Sequence, residues 1–390
     1  MLGARPLRAA LGFSTRMRQR VRAARGIRRI VRLDELRPSV RKELLVSRRA
    51  VSAGNSVVHR SSTATPAEES LHTPALELLV LRNVLVDAYF GVAVTHDGLV
   101  LEETAIRRNP IERKMRDGKF FRPTEVLDVD RPTLLLDCGP KNDNFFHFWS
   151  DSLTKLHWLG EPEVTGLGPA YLLHARPLSA WQVRLVERAL PPDLELLRVD
   201  RSTRVRSPLF VSLPPWRGAG VNFLPDDRLL TSMRDWAADL SSTRHSATRV
   251  YISRRKAAHR RFLNEPELSE LLRRNGFMEV ALEDLSVENQ ISVFQNASVI
   301  VAPHGAGLIH LLHARPGSRL LEIHTGRPEG YPKHYRSLAA AVGVEYSNLF
   351  CGAEGHHIDA DVPVAAVEDW IRALEADDRS GAAQPPTGRS

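Results

Sequence analysis

Cysteine is nearly absent. The 390 residues contain two, Cys138 and Cys351. Two such distant thiols form neither a disulfide framework nor a zinc-ligand pattern, and a reducing compartment is their simplest setting. No apolar run approaches the ~20 residues of a membrane span. The N-terminus lacks the apolar core, about 7–15 residues long, of a secretory signal. Aromatic residues make up 6% of the chain, and no recognised nucleic-acid module or stacking platform is present. A nucleic-acid-binding protein, prompted by the net charge of +8, is therefore kept as an alternative, and no nucleic-acid partner is expected. Acidic residues are also missing before Asp34, so the positive charge is unevenly placed.

The hydrophobic fraction of 43% allows a sizeable core, and this length suggests two or three domains at roughly 100–200 residues each. Residues 1–33 are rich in arginine, interspersed with Leu2, Leu7, Leu11, Phe13, Ile27, Ile30 and Val31. Three readings stand: a solvated tail, a segment lying on an anionic membrane surface, and a transit peptide. Each basic residue at such a surface contributes about 1 kcal/mol. Ser47 to Pro74 is rich in Ser, Thr, Ala and Pro and reads as a linker, so 1–74 is taken as basic tail plus linker.

From Leu76 onward, short β-rich runs dominate up to Glu103, and Thr133–Asp137 is another strand candidate. Asn144 to Leu159 has helical spacing. Strands are expected at Ala170–His174 and Leu194–Val199, with helices at Ser179–Leu190 and Asp226–Leu240. The polar stretch 241–246 reads as a hinge between a first domain, 75–245, and a second, 246–363. In the second, strands at Arg249–Ser253, Phe277–Glu283, Ser298–Ala302, Arg319–His324 and Glu345–Phe350 alternate with helices at Glu265–Arg274, Ser286–Asn296, Leu308–Ala314 and Tyr335–Val342. That alternation predicts an α/β fold with a parallel sheet covered on both faces. A terminal helix is expected over 364–378, with a disordered tail over 379–390. Ligands of such sheets bind beyond the carboxyl ends of the strands.

Three constellations carry chemistry. His304-Gly305-Ala306-Gly307 follows a strand and opens a helix. Gly305 and Gly307 let backbone N–H groups approach a ligand, and a helix start favours an anion, most plausibly a phosphate. The bland reading is a plain turn. The dinucleotide fingerprint fails because His310 stands where a third glycine belongs, and the P-loop ending is missing. An NAD-dependent oxidoreductase is thus a second alternative, with Glu322 the acidic residue in the ribose role. Ser253-Arg254-Arg255-Lys256 ends another strand on the same sheet edge, followed by Arg260 and Arg261. Arginine's planar fork suits a diphosphate, whereas a solvated basic loop is the bland reading. Asn144, His147 and Asp151 fall on one helical face, and His147 and Asp151 can touch. An imidazole beside a carboxylate suits proton removal from a hydroxyl near neutral pH; a merely polar face is the other reading.

Asp128-Val-Asp130 and Asp359-Ala-Asp361 match a D-x-D metal pattern but lie away from the basic crevice, and no metal is expected. His310 and His313 ride an apolar helix and read as packed. Glu322 either accepts hydrogen bonds from a ribose or faces solvent at the sheet edge.

In order and spacing, several motifs resemble glycosyltransferase family 61. They are Asn144-Phe-Phe-His-Phe-Trp-Ser-Asp151, Tyr251-Ile-Ser-Arg-Arg255 with Arg261 and Asn264-Glu265, Val301-Ala-Pro-His-Gly-Ala-Gly-Leu308, and Leu321-Glu322. The resemblance covers about residues 75–350. It implies a GT-B-like architecture, two Rossmann-like domains facing across a cleft, with the nucleotide-sugar donor on the C-terminal one. It implies an inverting, metal-independent transfer to a hydroxyl of a glycan or lipid-linked acceptor, with no cofactor. Ser253, Arg254, Arg255, His304, Gly305, Ala306, Gly307 and Glu322 would then hold the donor, and Asn144 would face the acceptor. His147 or Asp151 would be the base. The terminal helix would cross back to the first domain. A role in surface polysaccharide or glycolipid synthesis, in the cytoplasm or peripheral on the inner membrane face, is the expectation.

Overall fold

A computed structural model describes residues 29–52, 56–60, 68–72, 75–105, 111–112, 125–137, 144–216, 223–240, 247–257, 259–329, 331–354 and 358–381. Its C-terminal part is a five-stranded sheet in which every pairing is parallel. In chain order the strands are Arg249–Ile252, Met278–Val280, Val299–Pro303, Arg319–His324 and Glu345–Phe350. In space they run second, first, third, fourth, fifth. The direction of winding reverses between the first and third strands, so a crevice opens beyond their carboxyl ends. Ser253-Arg254 and His304-Gly305 stand at those two ends.

Local signals explain this half. Val299–Pro303 is buried throughout, as a strand covered on both faces must be. The helix Glu265–Arg274 has acids in its first turn and arginines in its last, and it stops where Gly276 adopts φ 77°. Ser286 caps Val287–Asn296 through the amide of Asn289. The expected strand 277–283 shortens to Met278–Val280 and turns into a 3-10 helix, Leu282–Asp284. Ala306–His313 is likewise 3-10 rather than α-helical.

The preceding residues form two six-stranded mixed sheets. One joins Leu194–Arg198, Ala170–His174, Thr133–Leu135, Phe210–Ser212, Leu76–Leu81 and Leu45–Ser52; the other contains Arg29–Val31, Leu99–Leu101, Val92–Thr95, Val84–Asp87, Thr203–Arg206 and Glu125–Asp128. Over the described residues 29–52, 56–60 and 68–72 the tail-and-linker reading gives way to strands and short helices. Leu45–Ser52 pairs antiparallel with Leu76–Leu81, Arg29–Val31 pairs parallel with Leu99–Leu101, and Ser56–Arg60 pairs with Glu68–His72. Serine and threonine are compatible with an edge strand, where one side of the backbone faces water. Residues 1–28, the hinge candidate 241–246 and residues 382–390 lie outside the described residues.

The terminal helix runs Val364–Gly381, past the expected end. Its apolar contacts among the described residues are with the C-terminal half, not across to the first. Val367, Ile371 and Leu374, on one helical face, pack with Tyr251, Leu268, Leu271, Val299 and Ile323 against the C-terminal sheet. The largest apolar cluster draws on both halves, from Leu76 to Tyr346, and includes Trp149, Trp158 and Trp216. Among the described residues, no helix is long and apolar enough to cross a membrane.

Where the halves meet, Trp149 stacks on Trp181 at 5.9 Å and lies edge-on to His310 and His313. The two histidines are buried, as the sequence suggested. Burial, reinforced by Arg234, pushes His313 down to about 3. As pH falls from 6.5 toward 3, the unfolded chain takes up a proton at His313 that the folded chain refuses. Stability is therefore complete above that window and declines through it, by on the order of 2 kcal/mol at pH 5 from this residue. In urea melts at pH 7 and pH 5, His313→Gln should show a smaller decline than wild type by that amount. Equal declines would contradict the assignment.

Candidate functional site

The site begins with a buried carboxylate. Glu265 Oε1 accepts from the Tyr251 hydroxyl (2.8 Å), the Ser253 hydroxyl (2.7 Å) and the Arg254 amide (3.1 Å). These bonds fix the turn after the first strand. Ser253 is buried and its proton is committed, so its side chain supports the site rather than facing a ligand. Asn264 ties the same turn to Val362 through two hydrogen bonds of 2.9 and 2.8 Å.

Arg254 leaves this turn across the crevice. Its Nη1 donates to the His304 carbonyl (3.2 Å) and its Nη2 to the His259 carbonyl (3.1 Å), while Nε has no partner. Burial first, then the charge of Arg260, press its pKa below the usual arginine value. Arg260 is also lowered by burial, and its Nε is likewise unpartnered. Its φ of 57° is left-handed, an uncommon conformation for a residue with a side chain and one that clusters at functional sites. Among the described residues, no carboxylate lies within ion-pairing distance of either guanidinium. Arg255 turns the other way: it is exposed and pairs with Glu279 (2.9 Å) and Asp284 (3.6 Å). The structure thus does not bring its side chain together with those of Arg254 and His304. Lys256 pairs with Asp284, and Arg261 with Asp359 at 2.7 Å.

The glycines of the turn are explained by packing. A Cβ on Gly305 would lie 2.7 Å from Arg254 Nη1, and one on Gly307 would lie 2.4 Å from Leu282 Cδ1. Gly305 thus makes room for the guanidinium, and Gly307 for the core. Gly305 caps the 3-10 helix that begins at Ala306, so the first N–H groups of that helix have no partner within it.

Behind the turn lies a second carboxylate. Glu322 is fully buried; its Oε1 accepts from His304 Nδ1 (2.5 Å) and its Oε2 from the Tyr346 hydroxyl (2.7 Å). Both earlier readings of Glu322 are corrected: it neither faces solvent nor offers a free oxygen to a ribose. Burial favours its neutral form, but His324 and His304 outweigh that and hold its pKa below the ordinary range. His304 is lowered chiefly by burial, against Glu322. The pair is a carboxylate accepting Nδ1–H from a neutral ring, which leaves the Nε2 lone pair free of that bond. His304 stacks on His324 at 5.0 Å. His304, Glu322 and His324, with ligand atoms within 4.8 Å of one another, are the one group among the described residues with metal-ligating spacing. The D-x-D residues lie elsewhere in ion pairs: Asp128 with Arg206 and Asp359 with Arg261.

The first half supplies a matching pair. Asn144 is the cap of its helix: Oδ1 accepts from the amides of Phe146 (2.9 Å) and His147 (3.4 Å). One α-turn, Phe145–His147, widens into a π-helical stretch, Phe148–Ser152, and then narrows into the 3-10 helix Leu153–Gly160. Such widened turns occur often at functional sites. His147 Nδ1 meets Asp151 Oδ2 at 2.7 Å, while Ser150 Oγ donates to Oδ1 at 2.8 Å. Asp151 is buried. Lys155, which the sequence reading passed over, is buried and donates to the Leu135 and Asp137 carbonyls, locking the helix to the end of a strand. Nothing in its surroundings in sequence marks it; only the fold shows those carbonyls converging.

Aromatic rings join the two pairs. Phe146 lies 4.6 Å from His334 and 5.4 Å from Tyr335, and both of those rings lie 5.3 Å from His304. The site therefore unites two histidine–carboxylate pairs and two arginines without carboxylate partners. The first can move a proton; the second can neutralise an anion.

Residues 145–321 match the family described as Glycosyltransferase 61. The chain is 33% identical over 117 residues to an EGF domain-specific O-linked N-acetylglucosamine transferase of Drosophila melanogaster, covering 28% of this chain and 22% of that protein. The Mus musculus protein of the same name is 30% identical over 120 residues, with the same coverage of both chains. A beta-1,2-xylosyltransferase of Arabidopsis thaliana is 37% identical over 65 residues, 17% of this chain and 12% of that one. The chain thus spans about a fifth or less of the length of these curated relatives.

Packing around the glycines gives a contrast to measure. Gly305→Ala should displace Arg254, lowering pyrophosphate affinity about tenfold while leaving stability within about 1 kcal/mol. Gly307→Ala overpacks the core against Leu282 and should cost roughly 1–3 kcal/mol of stability. Calorimetric titration and urea melts of both variants check this; a reversed pattern would contradict the assignment.

Proposed function

We propose, from the match of residues 145–321 to the Glycosyltransferase 61 family, that the chain transfers a sugar from a nucleotide-sugar donor to an acceptor hydroxyl, with inversion and without a metal. The observation that carries this reading is the Arg254–Arg260 pair. Two half-buried guanidiniums without carboxylates, at the crevice where the sheet reverses, call for an anion with more than one negative charge. A donor's diphosphate supplies it.

In this reading the acceptor oxygen attacks the anomeric carbon as its proton passes to His147. A new carbon–oxygen bond forms, and the bond from that carbon to the diphosphate breaks with its electron pair left on the diphosphate. Arg254 and Arg260 neutralise the growing charge, already oriented before reaction. Asp151, buried with both oxygens engaged, accepts Nδ1–H and leaves His147 Nε2 to take the proton. His147 is the base and Asp151 its positioning residue. His304 acts through its carbonyl, which holds Arg254, while Glu322 fixes its ring.

The relatives' names mention N-acetylglucosamine and xylosyl transfer, and the donor sugar of this chain is what the screen below identifies. A glycan or lipid-linked acceptor, surface polysaccharide synthesis, and a cytoplasmic or peripheral position through the basic residues 1–28 complete the proposal. The oxidoreductase reading loses its ribose acceptor, because Glu322 is buried and occupied. A thermal-shift screen with nucleotide sugars tests the class: at least one sugar donor should raise the melting temperature, whereas a shift only with NAD would overturn it. With that donor, His147→Ala should lower kcat by about 10²–10⁴-fold and leave donor affinity unchanged. Treatment with EDTA should leave turnover intact; loss restored by a divalent cation would instead assign charge compensation to the His304–Glu322–His324 group.

A further inference from the structure

We infer that Tyr331 and Phe350 form the platform on which the donor's nucleobase stacks, an assignment that rests on the diphosphate reading above. Phe350 is the last residue of the fifth strand. All five strands are parallel, so its ring stands on the same sheet edge as Arg254 and His304. The fifth strand lies two strand spacings from the strand that ends at Pro303, just before His304, about 10 Å. That is the direction and scale on which a nucleoside diphosphate extends from its phosphates to its base.

The rings between them are ordered. His304 stacks on His324 at 5.0 Å with 23° between planes, and His324 stacks on Phe350 at 4.9 Å and 18°. Tyr331 stands edge-on to both, 5.1 Å from Phe350 and 5.1 Å from His324. Its hydroxyl accepts from Arg336 Nη1 at 3.3 Å, which fixes the ring. His324 is buried, whereas Tyr331 and Phe350 are only half-buried. The column thus ends in two oriented aromatic rings that keep part of their surface open, beyond the clamp. Partly exposed aromatics are ordinary at a core's edge, but these two are held by ring contacts on the clamp's own sheet edge. A flat base suits them, because every base has a π-face and stacking holds it without reading its edge. Arg254 and Arg260 hold the charge, and the aromatic pair holds the other end of the molecule.

The test is calorimetric titration of the full chain with UDP and, separately, inorganic pyrophosphate. Phe350→Leu and Tyr331→Leu should each weaken UDP about tenfold and leave pyrophosphate unchanged, since only UDP carries a base. Tyr331→Phe, which keeps the ring, should retain most of the UDP affinity. Arg254→Ala should weaken both probes. If the leucine variants bind UDP as wild type does while Arg254→Ala loses pyrophosphate, the platform is refuted and the diphosphate seat stands. Equal loss of both probes in the leucine variants also refutes the platform, because the rings would then be shaping the clamp. If wild type binds neither probe, the diphosphate reading fails and this inference with it.

Discussion

Arg254 is a cation drawn partly out of water with no carboxylate within ion-pairing distance among the described residues, beside a second such cation, Arg260. Like charges at low exposure repel, and the fold holds them in place by other means. Glu265 fixes the backbone at Arg254, the His304 and His259 carbonyls accept from its guanidinium, and Gly305 leaves it room. The left-handed backbone at Arg260 is a further cost concentrated at the same spot. Most other arginines whose contacts are described settle the matter differently, by pairing with acids on the surface, as Arg255, Arg261 and Arg273 do. Exposed pairs of that kind contribute little to stability. Arg254 and Arg260 differ in lying side by side at the crevice where the sheet reverses, each pressed down by burial.

Both halves use one device to aim an imidazole. A buried carboxylate accepts from Nδ1, so the ring's orientation and tautomer are set by its partner. Asp151 does this for His147 and Glu322 for His304. Their surroundings separate the roles. His147 rides a helix that widens at Phe148–Ser152, in the half expected to meet the acceptor. His304 sits over the crevice, packed between His324 and Tyr335, and its carbonyl is bound to Arg254. Phe146, His334 and Tyr335 pack between the two pairs.

Much of the C-terminal sheet was legible because its strands are short apolar runs closed by clear stops such as Asn275-Gly276 and Pro316-Gly317. The edge strand Leu45–Ser52 was not, because an edge tolerates the serines and arginines that also make a linker. In the site, spacing pointed to His147 with Asp151, and the end-of-strand position to Arg254 with the His304 turn. Spacing misplaced Arg255 and Glu322, because sequence shows which residues follow a strand but not which way each side chain turns. Glu322 follows the alternation of a strand and points inward, where His304 and Tyr346 take both its oxygens. Lys155 and the conformation of Arg260 depend on carbonyls and turns that only the folded chain assembles.

The measurement that bears most directly on this account is a crystal structure of the chain with UDP bound. The account places the diphosphate oxygens within hydrogen-bonding distance of both Arg254 and Arg260, beside the His304–Gly305 turn. A diphosphate bound elsewhere, with Arg254 and Arg260 still unpaired, would contradict it.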